Sequence, residues 1–261
     1  MSENSKNIKG KKTINSVTKA IEIMEFIAYS DEEVGVTEIS NSLNYGVSAT
    51  YHLLNTLRKV NIIEQNPKTK KYRLGIKLWQ IGKIANEQNR LSLILKPYLK
   101  KLKNLTEETS NLTVLDNNEI VYLAQEESDR LVKMFTKTGA RAPLYCSAAG
   151  KILLAYQSPE KQKTILESLN LKKFTDKTII DINTLKNELN KIKNNGYGFD
   201  HEERELGVSC IAAPVLGFND EIIAAISISG PTSRFNEENT GKWIEYILEI
   251  TNEASKYFKN K

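Results

Sequence analysis

Cysteine is nearly missing from this chain: Cys146 and Cys210 are the only two among 261 residues. They lie far apart with no CxxC spacing, which excludes a disulfide framework and a zinc ribbon, and free thiols are expected. Histidine is as scarce, with His52 and His201 alone, so a metal site would be short of its commonest ligand. No apolar run approaches the roughly 18 residues of a membrane span, and the N-terminus lacks the apolar stretch of a signal peptide. No membrane attachment is expected, and a cytoplasmic location is. Internal repeats and low-complexity stretches are absent too. Excess charge is small: 37 Lys and Arg against 32 Asp and Glu give +5, which permits nucleic-acid binding without establishing it.

What is present suits two domains, since domains cluster at roughly 100 to 150 residues. Hydrophobic residues make up 40% and charged residues 26%, enough for a real core in each part. The reading divides the chain into a basic, disordered arm over 1–12, a DNA-binding domain over 13–75, a linker helix over 76–90 and a second domain over 91–261.

In the first 75 residues, eleven Lys and Arg face eight Asp and Glu, and the basic ones cluster at Lys6 to Lys12 and Lys68 to Arg73. Ile14, Val17, Ile21, Met24, Ile27 and Ala28 recur at three- and four-residue steps, predicting a helix with one buried stripe. Thr37 is placed to cap a short second helix carrying Ile39 and Leu43, which Asn44-Tyr45-Gly46 breaks. A third helix from Val47 or Ser48 buries Thr50, Leu53, Leu54 and Leu57 and leaves Ser48, Ala49, Tyr51, His52, Asn55 and Arg58 outward. Helix, tight turn and half-polar helix make a helix-turn-helix pattern. Two short strands, Ile62 to Gln65 and Lys71 to Leu74, joined by a lysine-rich turn, read as its wing. An α-helix fits the major groove with its polar face toward base edges, while Lys68, Lys70 and Lys71 would grip phosphate. A three-helix interaction module with solvated lysines is the alternative. A basic hairpin placed directly after the third helix disfavours it.

Beyond Gly75, the segment with Ile76, Leu78, Trp79, Ile81 and Ile84 is too apolar for a solvated linker and should bury itself against a partner subunit. A further helix runs from about Leu91 to Ser110 with Pro97 near its first turns. Strands then follow at Leu112 to Leu115, Ile120 to Ala124 and Leu131 to Met134. Helices open at Cys146 to Gly150 and cover Leu185 to Ile192. Late strands at Val208 to Val215 and Ile222 to Ser229 flank a turn at Asn219-Asp220, and a last helix spans about Asn236 to Phe258. The fold class is α+β.

Ser227 and Ser229 sit two apart on an otherwise apolar strand, so both hydroxyls share a face. They are either ligand contacts or bonded to neighbouring backbone. The helix start at Ser147-Ala148-Ala149 offers free amides and a positive dipole end to an anion, or else packs closely on a sheet.

Several stretches together resemble the IclR family of bacterial transcription regulators, nearly from Ser16 to the end. They are Ser16-Val17, Lys71-Tyr72-Arg73-Leu74-Gly75, Ala142-Pro143 leading to Ala148 to Ala155, Gly196-Tyr197-Gly198-Phe199-Asp200, Glu202-Glu203, Gly207 to Val215 and Ala224 to Pro231. The resemblance implies an N-terminal winged helix-turn-helix, a linker helix and a C-terminal GAF-like α/β effector-binding domain. It further implies a homodimer made largely through the DNA-binding half and linker, often paired into a dimer of dimers; a palindromic operator in double-stranded DNA is expected, with repression favoured over activation. By the same resemblance Asp200, Cys210, Ser227 and Ser229 match the polar positions of the family's effector pocket, Ala148 and Ala149 its backbone donors, and Leu131 and Met134 its apolar wall. That set suits a small organic or sugar acid of carbon catabolism, a carboxylate, and requires no cofactor. The chain departs from the family's pattern at His52, where arginine is usual, and at Ala148, where glycine is common.

Two readings from other classes are weighed against this. Cys210 as a nucleophile with His201 as base would make an enzyme, but no third group orients the histidine. Asp200, His201 and Cys210 would make a metal-responsive regulator. The first leaves residues 1–75 without a role, and the second has only two histidines to draw on, His52 being assigned to the DNA-binding half.

Overall fold

A computed structural model describes residues 14–88 and 90–259. The expected basic arm over 1–12 lies outside the described residues. The chain forms two compact units divided between Gln88 and Asn89.

The first unit holds α1 (Asn15–Ala28), α2 (Val36–Leu43), α3 (Val47–Lys59), a hairpin of β1 (Ile63–Gln65) and β2 (Tyr72–Leu74), and α4 (Ile76–Gln88). Its core is Ile23, Ile27, Val34, Ile39, Leu54, Leu57, Ile63 and Tyr72. This corrects the expected stripe of α1, where Ile14, Val17 and Ile21 are exposed at 71%, 54% and 46%. The helix carries two apolar stripes offset by about a quarter turn. Ala20, Ile23, Met24 and Ile27 form the one that packs. The cap of α2 is Gly35 rather than Thr37, with its amide donating to the Glu38 carboxylate. Asn44 in the left-handed region, at φ 54°, closes α2, and the Ser40 hydroxyl donates to the Tyr45 carbonyl at 2.6 Å to fix the turn into α3.

The second unit is one antiparallel sheet, ordered β5-β4-β3-β8-β7-β6, with helices on both faces. Its elements are α5 (Arg90–Thr106), β3 (Thr109–Asp116), β4 (Glu119–Glu126), β5 (Arg141–Pro143), α6 (Ala148–Ala155), α7 (Pro159–Ser168), α8 (Ile182–Asn195), β6 (Gly198–His201), β7 (Val208–Leu216), β8 (Ile222–Pro231) and α9 (Glu237–Lys259). One face is mainly apolar: Leu112, Ile211, Ala213, Val215, Ala224, Ile226 and Ile228 pack on Leu95, Leu99 and Leu102 of α5 and on Trp243, Ile247 and Ile250 of α9. The other lies under α6 and α8.

Three expectations change here. Leu131 to Met134 is irregular rather than a strand, and β5 at Arg141–Pro143 occupies the sheet edge. The helix expected to reach Ser110 ends at Thr106, and Thr109 and Ser110 already belong to β3. Pro97 lies inside α5; the carbonyl four residues before it, which loses its N–H partner, belongs to Leu93, a residue 61% exposed.

Candidate effector site and DNA-binding surface

Strand alternation assembles the polar residues of the second unit. In an antiparallel sheet, directly paired residues point to the same face. Asp200 pairs with Cys210, Cys210 with Ser229 and Ser229 with Thr109, giving one row across four strands. The next row runs Gly198, Ala212, Ser227, Asn111 and Gln125. A register shift after Leu112 pairs Thr113 with Tyr122, so Tyr122 and Gln125 both reach this face. Helix α6 covers it, with Ala148, Ala149 and Ile152 packed among Tyr122, Cys210, Ala212 and Ala225.

Helix α6 begins sharply. Ser147 is its N-cap, accepting from the Gly150 amide at 3.2 Å, which leaves the amides of Ala148 and Ala149 as the helix's first donors. Gly150 is needed for close approach, because a Cβ there would lie 2.4 Å from the Leu144 carbonyl oxygen.

Asp200 is 3% exposed and accepts the Glu203 amide at 2.7 Å. Burial raises its pKa to about 7, opposed by that hydrogen bond and by Lys151. Burial likewise pushes the Cys210 and Tyr122 protons up. Behind Asp200, Lys151 of α6 is 1% exposed and ion-paired to Glu203, with Glu188 of α8 at 4.0 Å. Thr178 and Thr175 hydroxyls hold the Glu203 carbonyl.

The face thus gathers Asp200, Cys210, Ser227, Ser229, Ala148 and Ala149 from the expected effector set. Leu131 does not join them: its side chain is fully exposed, at 102%, and forms no wall of an enclosed site. Met134 is half-buried on the same irregular segment, its carbonyl accepting from Thr109 at 3.2 Å. Sequence reasoning missed Asn111, Thr113 and Tyr122, whose places depend on the register shift and on neighbouring strands. His201 follows Asp200 on β6, so it points to the opposite face and stacks on Phe199 at 4.5 Å. That placement removes it both as a base for Cys210 and as a ligand beside Asp200 and Cys210.

In the first unit, α3 exposes Ser48, Ala49, Tyr51, His52 and Arg58, with Asn55 half-buried. Arg58 is tied down: it donates to Gln65 at 2.6 Å and to Asn55 at 2.9 Å, and Gln65 donates to the Lys70 carbonyl at 2.9 Å. These bonds set the wing against the third helix. Asn66 accepts the Lys68 and Thr69 amides, and Glu33 anchors the tip through Asn66 and Thr69. Lys68 and Lys70 are exposed and Lys71 is half-buried. An open hollow of about 620 Å³ lies at the base of the wing, lined by Glu64, Arg73, Leu74, Gly75, Ile76, Leu78 and Trp79. Among the described residues no helix is long and apolar enough to cross a membrane.

Comparison with known proteins bears on both units. The family description "IclR helix-turn-helix domain" matches residues 16–67, and "Bacterial transcriptional regulator IclR C-terminal" matches residues 85–256. The HTH-type transcriptional regulator KdgR of Escherichia coli is 34% identical over 235 residues, covering 90% of this chain and 89% of KdgR. The crystal structure of Thermotoga maritima IclR superposes with a TM-score of 0.75 at 32% identity, over 95% of this chain and 100% of that one. An IclR homologue from Microbacterium hydrocarbonoxydans, solved in complex with 4-hydroxybenzoate, shares the fold at a TM-score of 0.80 and 22% identity, covering 94% of this chain and 100% of that one. A helix-turn-helix with a bonded wing, a sheet with one polar face and these matches over both units agree: the chain is a DNA-binding transcription regulator, not an enzyme, and belongs to the IclR family.

Proposed function

We propose that this protein regulates transcription by binding a palindromic operator as a homodimer and that a small carboxylic acid, held on the polar sheet face, controls it. The observation that carries the effector half is the convergence of Asp200, Cys210, Ser227 and Ser229 under the start of α6. Two serine hydroxyls and two helix amides suit a carboxylate, and Asp200 suits a ligand hydroxyl. The complex of a family homologue with 4-hydroxybenzoate supports an acid. Ser48, Ala49, Tyr51, His52 and Asn55 read the major groove, and Lys68, Lys70 and Lys71 meet phosphate. Arg58 serves first to hold the wing.

The second stripe of α1 and the exposed Ile76, Trp79, Ile81 and Ile84 of α4 supply apolar surface for a dimer contact. A dimer of dimers would bring four recognition helices to the same control region. An operator overlapping a promoter makes the protein a repressor, because the bound dimer occludes it. The acid acts by favouring one of two dimer states with different spacing between the recognition helices.

Genome-wide mapping of sites bound by the purified protein over a salt series tests this. A short palindrome near genes for the use of an organic acid is expected, with binding weakened by that acid. Weak, sequence-independent binding would reject the regulator as described.

The acid's affinity is also expected to depend on pH. Asp200 titrates near 7 with Glu203 and Lys151 behind it, and a bound anion favours its protonated form. Binding then takes up a proton above pH 7, so affinity stays level below 7 and falls up to about tenfold per pH unit above it. Calorimetry at pH 6, 7 and 8 in buffers of different ionisation enthalpy measures both the fall and the proton uptake. A flat profile would place the anion away from Asp200.

A further inference from the structure

Three residues outside the expected effector set form a hydrogen-bonded chain that ends on Ser229. Gln125 Nε2 donates to Thr136 Oγ1 at 2.5 Å, Thr136 Oγ1 donates to Asn111 Oδ1 at 2.9 Å, and Asn111 Nδ2 donates to Ser229 Oγ at 3.3 Å. Asn111 is 0% exposed and lies beside Ser227 on the polar face. Thr136 belongs to the irregular stretch between β4 and β5. That stretch is moored by Met134, whose carbonyl accepts from Thr109, and by Ser128, whose amide donates to Thr109 at 3.2 Å.

The direction of this chain has a chemical consequence. Amide nitrogens only donate and amide oxygens only accept, while a hydroxyl has a single proton. Thr136 receives from Gln125, so its proton goes to Asn111. Ser229 receives from Asn111, so its proton is turned away from Asn111 and toward the Cys210 side of the face, where the thiol is its contact within the protein. Sulfur is a weak acceptor, and an anionic oxygen takes the proton instead.

We propose that Gln125, Thr136 and Asn111 preset Ser229 as a donor, making Asn111 and Thr136 specificity-determining residues that select a carboxylate over its uncharged counterpart. The proposal rests on the effector-site reading above. It also gives the stretch from 127 to 140 a role as a cover. Ser227, Ser229, Asp200, Ala148 and Ala149 are all at least 95% buried, so a ligand is admitted by displacement of covering chain, and Thr136 completes the donor chain when that cover is down. Reversed amides would present a serine lone pair and favour a ligand that donates.

The test is calorimetric titration of the full chain with pyruvate, gluconate and 4-hydroxybenzoate, each beside an uncharged counterpart: methyl pyruvate, gluconamide and methyl 4-hydroxybenzoate. At least one acid is expected to bind more tightly than its counterpart. Thr136→Val should weaken that acid about tenfold and leave the counterpart unchanged, with a lowered melting temperature because Asn111 Oδ1 loses its donor in the interior, while Thr136→Ser restores both the acid's affinity and the melting temperature. No acid binding to the native protein, or acid binding that survives Ser229→Ala, overturns the effector site and the donor chain together. Acid binding lost in Ser229→Ala but unaltered in Thr136→Val overturns the donor chain alone, as does tighter binding of the uncharged counterpart.

Discussion

Lys151→Met is expected to lower the stability of the second unit by about 3–5 kcal/mol at pH 7.5, because it strands the Glu203 carboxylate in the interior without its partner. Lys151 is 1% and Glu203 6% exposed, and one Glu203 oxygen already accepts no hydrogen bond from the described residues. Burial raises the Glu203 pKa even with Lys151 beside it, and Lys151 is the largest influence in the lowering direction. Removing the lysine raises that pKa further.

The sign with pH follows. A carboxyl whose folded pKa lies above its unfolded value binds more protons when folded, so its contribution is favourable at low pH and lost as pH rises through the folded pKa. The deficit of Lys151→Met should therefore shrink as pH falls from 7.5 toward 5. Urea unfolding followed by Trp243 fluorescence in a Trp79→Phe background reads this unit. A deficit below about 1 kcal/mol, or one equal at both pH values, would mean that water already solvates Glu203.

Gly150→Ala is expected to destabilise by about 3 kcal/mol or more and to abolish acid binding. In a helix interior, alanine is better than glycine by about 1 kcal/mol. Here the added Cβ would meet the Leu144 oxygen at 2.4 Å, the Leu144 Cα at 2.6 Å and the Ser147 Oγ at 2.6 Å. Two of these are backbone atoms in a fully buried turn, so α6 must move and its cap from Ser147 must open; steric strain exceeds the propensity gain. Gly82→Ala is the control. It lies in α4 with nothing within 4 Å of the new Cβ, and there the same change should be neutral or stabilising. Equal melting temperatures for the two variants would show that the start of α6 yields.

Much of this architecture was legible because local signals agreed with tertiary ones. The turn at 44–46, the buried Thr50, Leu54 and Leu57 of α3, and Gly196 closing α8 at φ 80° all stand where residue chemistry puts them. Helix α1 misled because two apolar stripes fit the same periodicity, and only the packing of α3 and β2 chooses Ile23 and Ile27. Leu131 to Met134 misled because an apolar run carries no mark of its missing strand partner. Helix α7 went unread, its apolar residues Ile165 and Leu166 being adjacent rather than spaced along a face. That Ser227 and Ser229 share a face was legible by alternation, and resemblance placed Asp200 and Cys210 with them. Asn111 was not, since its place comes from pairing with Ser227 far along the chain, nor was Tyr122, since a bulge in strand pairing leaves no trace in spacing.

Strand β8 alternates Ile226 and Ile228 against α5 and α9 with Ser227 and Ser229 on the other side. The residues that hold the sheet together and those that would greet a ligand are thus neighbours in sequence but separated by the thickness of the sheet. Substitutions at 227 and 229 can change chemical taste while the hydrophobic keel stays untouched, so one scaffold can be retuned to new metabolites by single steps that each leave a folded protein. Insertion or deletion of one residue in β8 has no such freedom, because it exchanges the two faces at once.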